Sequence, residues 1–443
     1  MRNHLKKSSV ISLFMIINIV SHSANFTTIG DYVVRDDNGV IYVGVGDSDS
    51  RLFGFEVTGI ETRYMPDTLT FASVVPYDGK EYNVVRIGKE AFKGDRRIKS
   101  VVMPSTVEVV MDDAFAGSSL RDVALNEGLR QILPGAFSYT RLKELDLPST
   151  LRSMCEAQMS FGGFMTYQQQ AVLMGCDNLE SITVGAGNER YYAVDGMLID
   201  RSSQSLLKVP SMKKGVLDIP TDVAVIESCA IQGCKGLTQL NMPSGNLNTI
   251  KGNAVYINVG LEHVTIPASA VNIYENPFAY CYTLGRIDVE SGNERLTSVD
   301  GVLYSKDMGM LYSYPGARKA TKYKAPKTVE AMVAGAFGLC SIKLEEIEIP
   351  GSVTKIPAWC FYRCFELKKL ILPSTVETIE ENALPDVAFT MVLGAATPPE
   401  IVYNQEEDYR HLFTNEMTIV VPKKAVNAYR EHPLWGKMTI KGR

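Results

Sequence analysis

A proline closes a short apolar run again and again along this chain, and the spacing of those prolines limits the fold more than any other feature. Pro104, Pro148, Pro220, Pro243, Pro267, Pro350 and Pro373 follow one another at sequence separations of 44, 72, 23, 24, 83 and 23. Most of these separations are one, two or three multiples of a unit of roughly 22–24 residues, within the range of repeat architectures. Small-aromatic pairs keep the same beat at Ala91-Phe92, Ala114-Phe115, Ala136-Phe137 and Ala336-Phe337, with Ala230-Ile231, Ala254-Val255 and Ala358-Trp359 as variants. A unit this short buries only part of its apolar surface. Stacked neighbours complete the core, so the chain is expected to form a solenoid.

One unit shows the logic. In Leu142 to Pro148, Leu145 and Leu147 alternate with Glu144 and Asp146, the period of a strand with one buried face. Pro148 ends the strand, where a missing N–H costs least. Leu151 and Met154 turn the chain inward again, and the small-aromatic pair fills the opposite wall. A longer repeat lies over the short one. Residues 187–199 match residues 292–304 at an offset of 105, each with an Asp-Gly turn between apolar runs, Asp195-Gly196 and Asp300-Gly301. Such turns favour β-hairpins.

These signals divide the chain. Residues 1–24 carry Arg2, Lys6 and Lys7, then an apolar stretch from Val10 to Val20 too short to cross a bilayer, and read as a signal peptide. Residues 25–86 form an N-terminal β cap, opening with a hairpin around Asn38-Gly39. The solenoid runs over 87–388, with hairpin-bearing modules near 187–220 and 292–326. Residues 389–443 form a C-terminal cap, in which Pro422 opens a short helix carrying Ala425, Ala428 and Tyr429, followed by Trp435.

The Ile-x-x-x-Ala-Phe run at 87–92, the Leu-Pro-Ser-Thr segments at 147–150 and 372–375, and the Val-Asp-Gly hairpins at 194–196 and 299–301 resemble the BspA-like leucine-rich repeat proteins, the treponemal type of bacterial repeat. The helix with Tyr429 and Trp435 resembles that family's C-terminal ending. The pattern departs at Asn126-Glu127-Gly128 and at 160–175. With the repeat, the resemblance implies a β-rich α/β solenoid: a right-handed leucine-rich repeat superhelix with a parallel concave β-sheet, extra hairpins and terminal caps. It also implies an extracellular or cell-surface protein of a Gram-negative, host-associated bacterium. Some relatives are implicated in adhesion to matrix proteins such as fibronectin and fibrinogen, or to other bacteria.

Once positions 1–24 are set aside, basic side chains number 42 and acidic ones 50, which argues against nucleic-acid binding. A search for catalytic chemistry finds little. Past the leader the histidines are His263, His411 and His432, far apart and outside any metalloprotease or nucleophile-elbow pattern. Cys176, Cys234, Cys340 and Cys364 recur at one place in the repeat, which favours packing. Zinc binding and local disulfides at Cys229–Cys234 and Cys360–Cys364 stay open as alternatives. Asp47 to Ser50 reads as a solvated turn rather than a calcium loop.

Neither a cofactor nor an enzymatic activity is expected. The outward strand positions, among them Glu144, Asp146, Gln239, Asn241, His263, Glu346 and Glu348, form a polar stripe without aromatic residues. The partner-binding candidates are therefore Phe161, Phe164 and Tyr167 in the 160–175 insertion, and Tyr191, Tyr192, Tyr304 and Tyr312 in the hairpin modules. The function read from these features is a secreted or cell-surface interaction protein, an adhesin for an extracellular protein partner. A glycan-binding protein and a structural envelope protein are the alternatives.

Overall fold

A computed structural model describes residues 25–46, 52–62, 65–154, 172–338, 343–402 and 417–443. The chain winds as a parallel β-solenoid whose coils have three sides. One side is a face strand such as Ser100–Val102, paired in parallel with Asp122–Ala124 of the next coil. The second is a short back strand such as Val109–Val110, paired in parallel with Gln131–Ile132. The third is a wall of turns bonded coil to coil, with Phe92 N–H on Ala114 O at 2.7 Å and Phe115 N–H on Ala136 O at 2.8 Å.

The wall turns begin and end in the left-handed region. Asp113 (φ 52°) and Gly117 (φ 67°) bracket one coil, and Glu90 and Gly94 the coil before it. Glycine suits the closing position because it has no Cβ to clash. Elsewhere that position holds Tyr139, Ile257, Tyr280 and Arg363, all with positive φ, at a cost of about 1–2 kcal/mol each.

Behind the wall the aromatic member of each pair stacks on the next. Phe71, Phe92, Phe115 and Phe137 form a ladder with ring centroids 5.2–5.6 Å apart. Each such contact adds about 0.5–1.5 kcal/mol to the burial of the rings. A second ladder joins Tyr314, Phe337 and Phe361 at 5.3 Å per step. Phe361, not Trp359, is the ladder member in its coil, so the pair there is Cys360-Phe361 rather than Ala358-Trp359. Phe337 N–H bonds Cys360 O and Phe361 N–H bonds Ala383 O, while Trp359 takes the left-handed opening position (φ 60°).

Among the described residues three large cores follow one another along the solenoid, separated by the two hairpins, with a small fourth cluster at Cys229, Tyr256 and Ala279. In each module three antiparallel strands form a meander: Tyr191–Val194, Met197–Asp200 and Ser205–Lys208, then Leu296–Val299, Val302–Ser305 and Met310–Ser313. The Asp-Gly turns have positive φ at both residues, the I′ geometry that matches strand twist. Every residue of Met197–Asp200 is buried. Leu198 packs into the first core while Met197 and Ile199 pack into the second. One module later, Leu303 packs into the second core, and Val302 and Tyr304 into the third. The strand period of two thus gives each middle strand two buried faces. The hairpins are partitions inside the solenoid, not appendages on it.

The terminal segments carry hydrogen-bonded elements of their own. At the N-terminus Val33–Asp36 pairs with Val40–Gly46, and Asp36 Oδ1 accepts the N–H groups of Asn38 and Val40 at 2.9 Å each. At the C-terminus Val426–Glu431 is helical, with Ala425 and Tyr429 buried beside Trp435. Trp435 Nε1 donates to Pro399 O at 2.9 Å. Ala428 faces solvent, and Val426 shares the inner side instead.

Candidate interaction surfaces

The face strands set their outward side chains in rows, one residue per coil. Glu144 and Asp146 are exposed, as are Gln239, Asn241, His263 and Arg286, and the remaining outward positions are exposed or half-buried. Neighbouring rows satisfy one another. Lys322 and Lys369 flank Glu346 at 3.5 and 3.6 Å, and Lys324 meets Glu348 at 2.7 Å. Asp288 accepts from Arg286 at 2.8 Å and pairs with His263 Nε2 at 2.8 Å. The Arg286 hydrogen bond, reinforced by His263, holds the Asp288 carboxyl below its ordinary value despite partial burial. Asn241 donates to Asp218 at 2.6 Å, and Thr183 donates to Asp146. The stripe is mostly polar and braced, with Val102, Ala124, Val216 and Ile371 as apolar members, and no aromatic ring projects from it among the described residues.

The hairpin tyrosines divide into two kinds. Tyr191 and Tyr304 are core residues, 1% and 2% exposed, which corrects the expectation that they anchor a partner. Each faces inward because its strand closes a core. Tyr191 accepts the N–H of Met154 on its hydroxyl at 2.8 Å, and Tyr304 shares a hydroxyl bond with Tyr323. Tyr192 and Tyr312 are half-buried with part of each ring open. Tyr192 lies under the Arg201 guanidinium at 4.7 Å and donates to Asp222. Burial and the Asp222 carboxylate push its hydroxyl up to about 12.

Phe161, Phe164 and Tyr167 lie outside the described residues, as do the leader, Asp47 to Ser50, Cys155, Cys340 and His411. The far end of their insertion is described. Val172 O accepts from Phe137 N–H at 3.1 Å, and Met174 O from Tyr139 N–H at 2.6 Å. Val172 and Leu173 therefore stand where other coils have an Ala-Phe pair. Residues 172–175 belong to the turn wall, and the extra length ends before them.

The recurring cysteines have a physical role. They sit three positions after the ladder residue, where other coils place Ser118, Thr140 or Asn258. From there the side chain caps a carbonyl of the preceding coil. Cys176 Sγ donates to Phe137 O at 3.1 Å, Cys281 to Val255 O at 3.2 Å, and Cys364 to Phe337 O at 3.4 Å. Asn258 does the same to Ile231 O at 2.7 Å. Cys229, Cys234 and Cys360 are free, buried thiols, so neither local disulfide forms. Burial pushes Cys229 and Cys234 up to about 11 and Cys281 up to about 12. Among the described residues no three metal-ligating side chains converge. His432 is structural, with Nδ1 accepting from Leu434 N–H at 3.2 Å.

The turn wall holds aromatics that the repeat does not flag. Tyr139, Tyr274, Tyr282 and Phe365 are 41–67% exposed. The Arg363 guanidinium covers the Tyr362 ring at 5.3 Å. Of the four exposed aromatics only Tyr139 stands where regular coils have glycine, while the places of Tyr282 and Phe365 hold Arg96, Ser119, Arg141 and Lys235 in other coils, so the repeat pattern carries no signal for an aromatic there.

Comparison with known proteins agrees with this architecture. Residues 85–190, 211–301 and 311–392 match the BspA type leucine rich repeat region, in 6 copies. A leucine-rich repeat protein from Eubacterium ventriosum ATCC 27560 is similar in fold, with 17% identity, 82% of this chain and 95% of that chain covered, and a TM-score of 0.50. A leucine rich cell surface protein from Faecalibacterium prausnitzii A2-165 aligns at 17% identity over 95% of each chain, with a TM-score of 0.42. The pneumococcal vaccine antigen PcpA aligns at 18% identity over 94% of this chain and 100% of its own, with a TM-score of 0.38. No curated protein matches. Among the described residues no helix is long and apolar enough to cross a membrane. With the family repeat spread over more than half its length, the chain belongs to the BspA-type leucine-rich repeat family.

Proposed function

We propose that this protein is a secreted or cell-surface interaction scaffold that holds an extracellular protein, an adhesin whose partners are host matrix proteins or proteins of other bacterial surfaces. The observation that carries the reading is the braced strand face. Rows of polar side chains about 4.8 Å apart are locked by cross-strand pairs, so a partner meets a surface that is already ordered. Preorganisation lowers the entropy cost of docking, and many weak polar contacts then add up. The leader-like segment 1–24 and the family support an outward-facing role. Tyr192 and Tyr312 in the hairpin modules, with Phe161, Phe164 and Tyr167 in the insertion, are the proposed anchors.

The test is surface-resonance binding of the purified mature chain to a panel of matrix proteins and glycans. A copy lacking residues 160–170 runs beside it, cut short of Val172 so that the turn wall survives. Saturable binding to a protein, weakened by the deletion or by Tyr192→Ala, is expected. Binding to glycans alone would overturn the reading.

A further inference from the structure

The turns that close the face strands share one shape. At Pro104, Pro148, Pro220, Pro267, Pro326 and Pro350 the proline carbonyl accepts from the N–H three positions on, at 3.1–3.3 Å. The N–H of the residue directly after the proline takes no part in that bond; at Ser105 and Thr221 it is left to solvent, and it is open to any acceptor that reaches it. In two coils a carboxylate does so. Glu127 Oε2 accepts from the Ser149 N–H at 3.0 Å and the Ser149 hydroxyl at 2.7 Å. Glu290 Oε2 accepts from the Ala268 N–H at 2.9 Å and the Ser244 hydroxyl at 2.9 Å. Both acids stand on coils that lack the proline, which gives a physical reason for the departure at Asn126-Glu127-Gly128.

In the last block the acid is missing. Ile266 pairs with Val289, so Glu290 stands beside Pro267. Leu372 pairs with Leu393, so Gly394 stands beside Pro373 in the same relation. Gly394 has no side chain to offer, and a Cβ there would lie 2.7 Å from the Ser374 nitrogen. The first module also has a glycine here, Gly185, but Glu127 caps its turn from the opposite coil. The N–H groups of Gly351 and Ser374 have no protein acceptor among the described residues. A groove of about 660 Å³ opens over them, running from Lys324 past Lys327 to Arg443. The acid lining it, Glu348, is held by Lys324 at 2.7 Å.

We infer that this groove takes a carboxylate of an acidic, extended peptide segment of a partner protein, seated on the Gly351 and Ser374 N–H groups with Lys327 beside it. It repeats between chains what Glu127 and Glu290 do within this one. Lys324 offsets Glu348, so Lys327 and the Arg443 guanidinium supply the positive charge that suits such a segment, and the groove's length across several coils suits a peptide better than a lone ion. The inference rests on the protein-binding reading above for the nature of the partner.

The test is calorimetric titration of the mature chain with acetyl-Gly-Glu-Gly-Glu-Gly amide, against the same peptide with glutamine for glutamate. The glutamate peptide is expected to bind at least roughly tenfold tighter, the effect of charged hydrogen bonds. Gly351→Pro removes one N–H at a turn position that favours proline, with open space around it. It should weaken the peptide by roughly tenfold while melting like the parent. Lys327→Gln should weaken it too, and it carries the test if the proline variant does not fold. Equal binding of both peptides, no binding of the glutamate peptide, or full binding by both folded variants would overturn the site. Tighter binding of a uronic-acid oligosaccharide would overturn the peptide assignment. A matrix protein that still docks on both variants with unchanged affinity would overturn this groove and leave the scaffold reading standing. A peptide that binds, with no protein of the panel captured, would support the groove against that reading.

Discussion

Asn293→Ala is the sharpest test of how the hairpin modules are built into the solenoid. Asn293 is 1% exposed, and its side chain makes four hydrogen bonds. Its Nδ2 donates to Pro267 O at 3.1 Å and Ala270 O at 2.9 Å, both on the preceding coil. Its Oδ1 accepts from the N–H groups of Arg295 at 3.0 Å and Leu296 at 2.8 Å, where the hairpin begins. Asn188 repeats all four bonds at the other module, with Pro148, Leu151, Arg190 and Tyr191. Truncation orphans the Ala270 carbonyl and two N–H groups, and leaves Pro267 O with the Ala270 N–H alone, at about 1–3 kcal/mol for each group left dry. Water reaching part of the vacated space reduces the sum, and a loss of about 3–5 kcal/mol is expected. Asn246→Ala is the control, an exposed asparagine with one bond to Thr221 O, worth under about 1 kcal/mol. Urea unfolding followed by circular dichroism reads the difference as a shift in midpoint at constant slope. Asn293→Asp adds a pH signature. Its carboxylate would face two carbonyls, so its folded pKa lies above the unfolded value of about 3.9. A raised folded pKa means stability present at low pH and lost as pH rises, so this variant should sit closer to the parent at pH 4 than at pH 7. An Asn293→Ala midpoint no lower than that of Asn246→Ala would refute the clamp.

Three other expectations follow from the packing. Phe115→Ala, in the middle of the Phe92–Phe137 ladder, should cost about 3–5 kcal/mol, against under about 1 kcal/mol for exposed Phe365→Ala, read by the same unfolding curves. Cys229, Cys234, Cys281 and Cys360 should resist thiol labelling at pH 8 until urea unfolds the chain, and non-reducing peptide maps should show no Cys229–Cys234 or Cys360–Cys364 crosslink; rapid native labelling would contradict their burial. Asp200 is 1% exposed; burial alone would raise its pKa, but bonds from Ser202, Arg190 and the Ser203 N–H outweigh it and hold the carboxyl low. A depressed folded pKa stabilises above the unfolded value and is lost as pH falls through the folded one, so the gap between parent and Asp200→Asn should narrow below about pH 4.

Much of this architecture is legible in the residues because its signals are local. Proline after a strand, an Asp-Gly pair needing two positive φ values, and alternation in Glu144–Leu147 each act within a few bonds, and the repeat then multiplies them. The outward positions of the face could be read residue by residue for the same reason. The polar side of each strand is the side its own alternation leaves out of the core.

What the chain alone did not decide depends on registers between coils that are distant in sequence. Tyr191 and Tyr192 are neighbours on one strand, and only the stacking of cores on either side of the hairpin makes one a core residue and the other half-open. Cys176 looks like any small buried residue until the Phe137 carbonyl is placed 3.1 Å from its sulfur. Trp359 and Phe361 compete for one ladder position, and the hydrogen bonds from Phe337 and to Ala383 choose Phe361. The groove at Gly394 is legible only beside Glu290. Period and turn chemistry determined that the chain coils; the register between coils decided which side chains meet, because burial and hydrogen bonding are properties of neighbours in space.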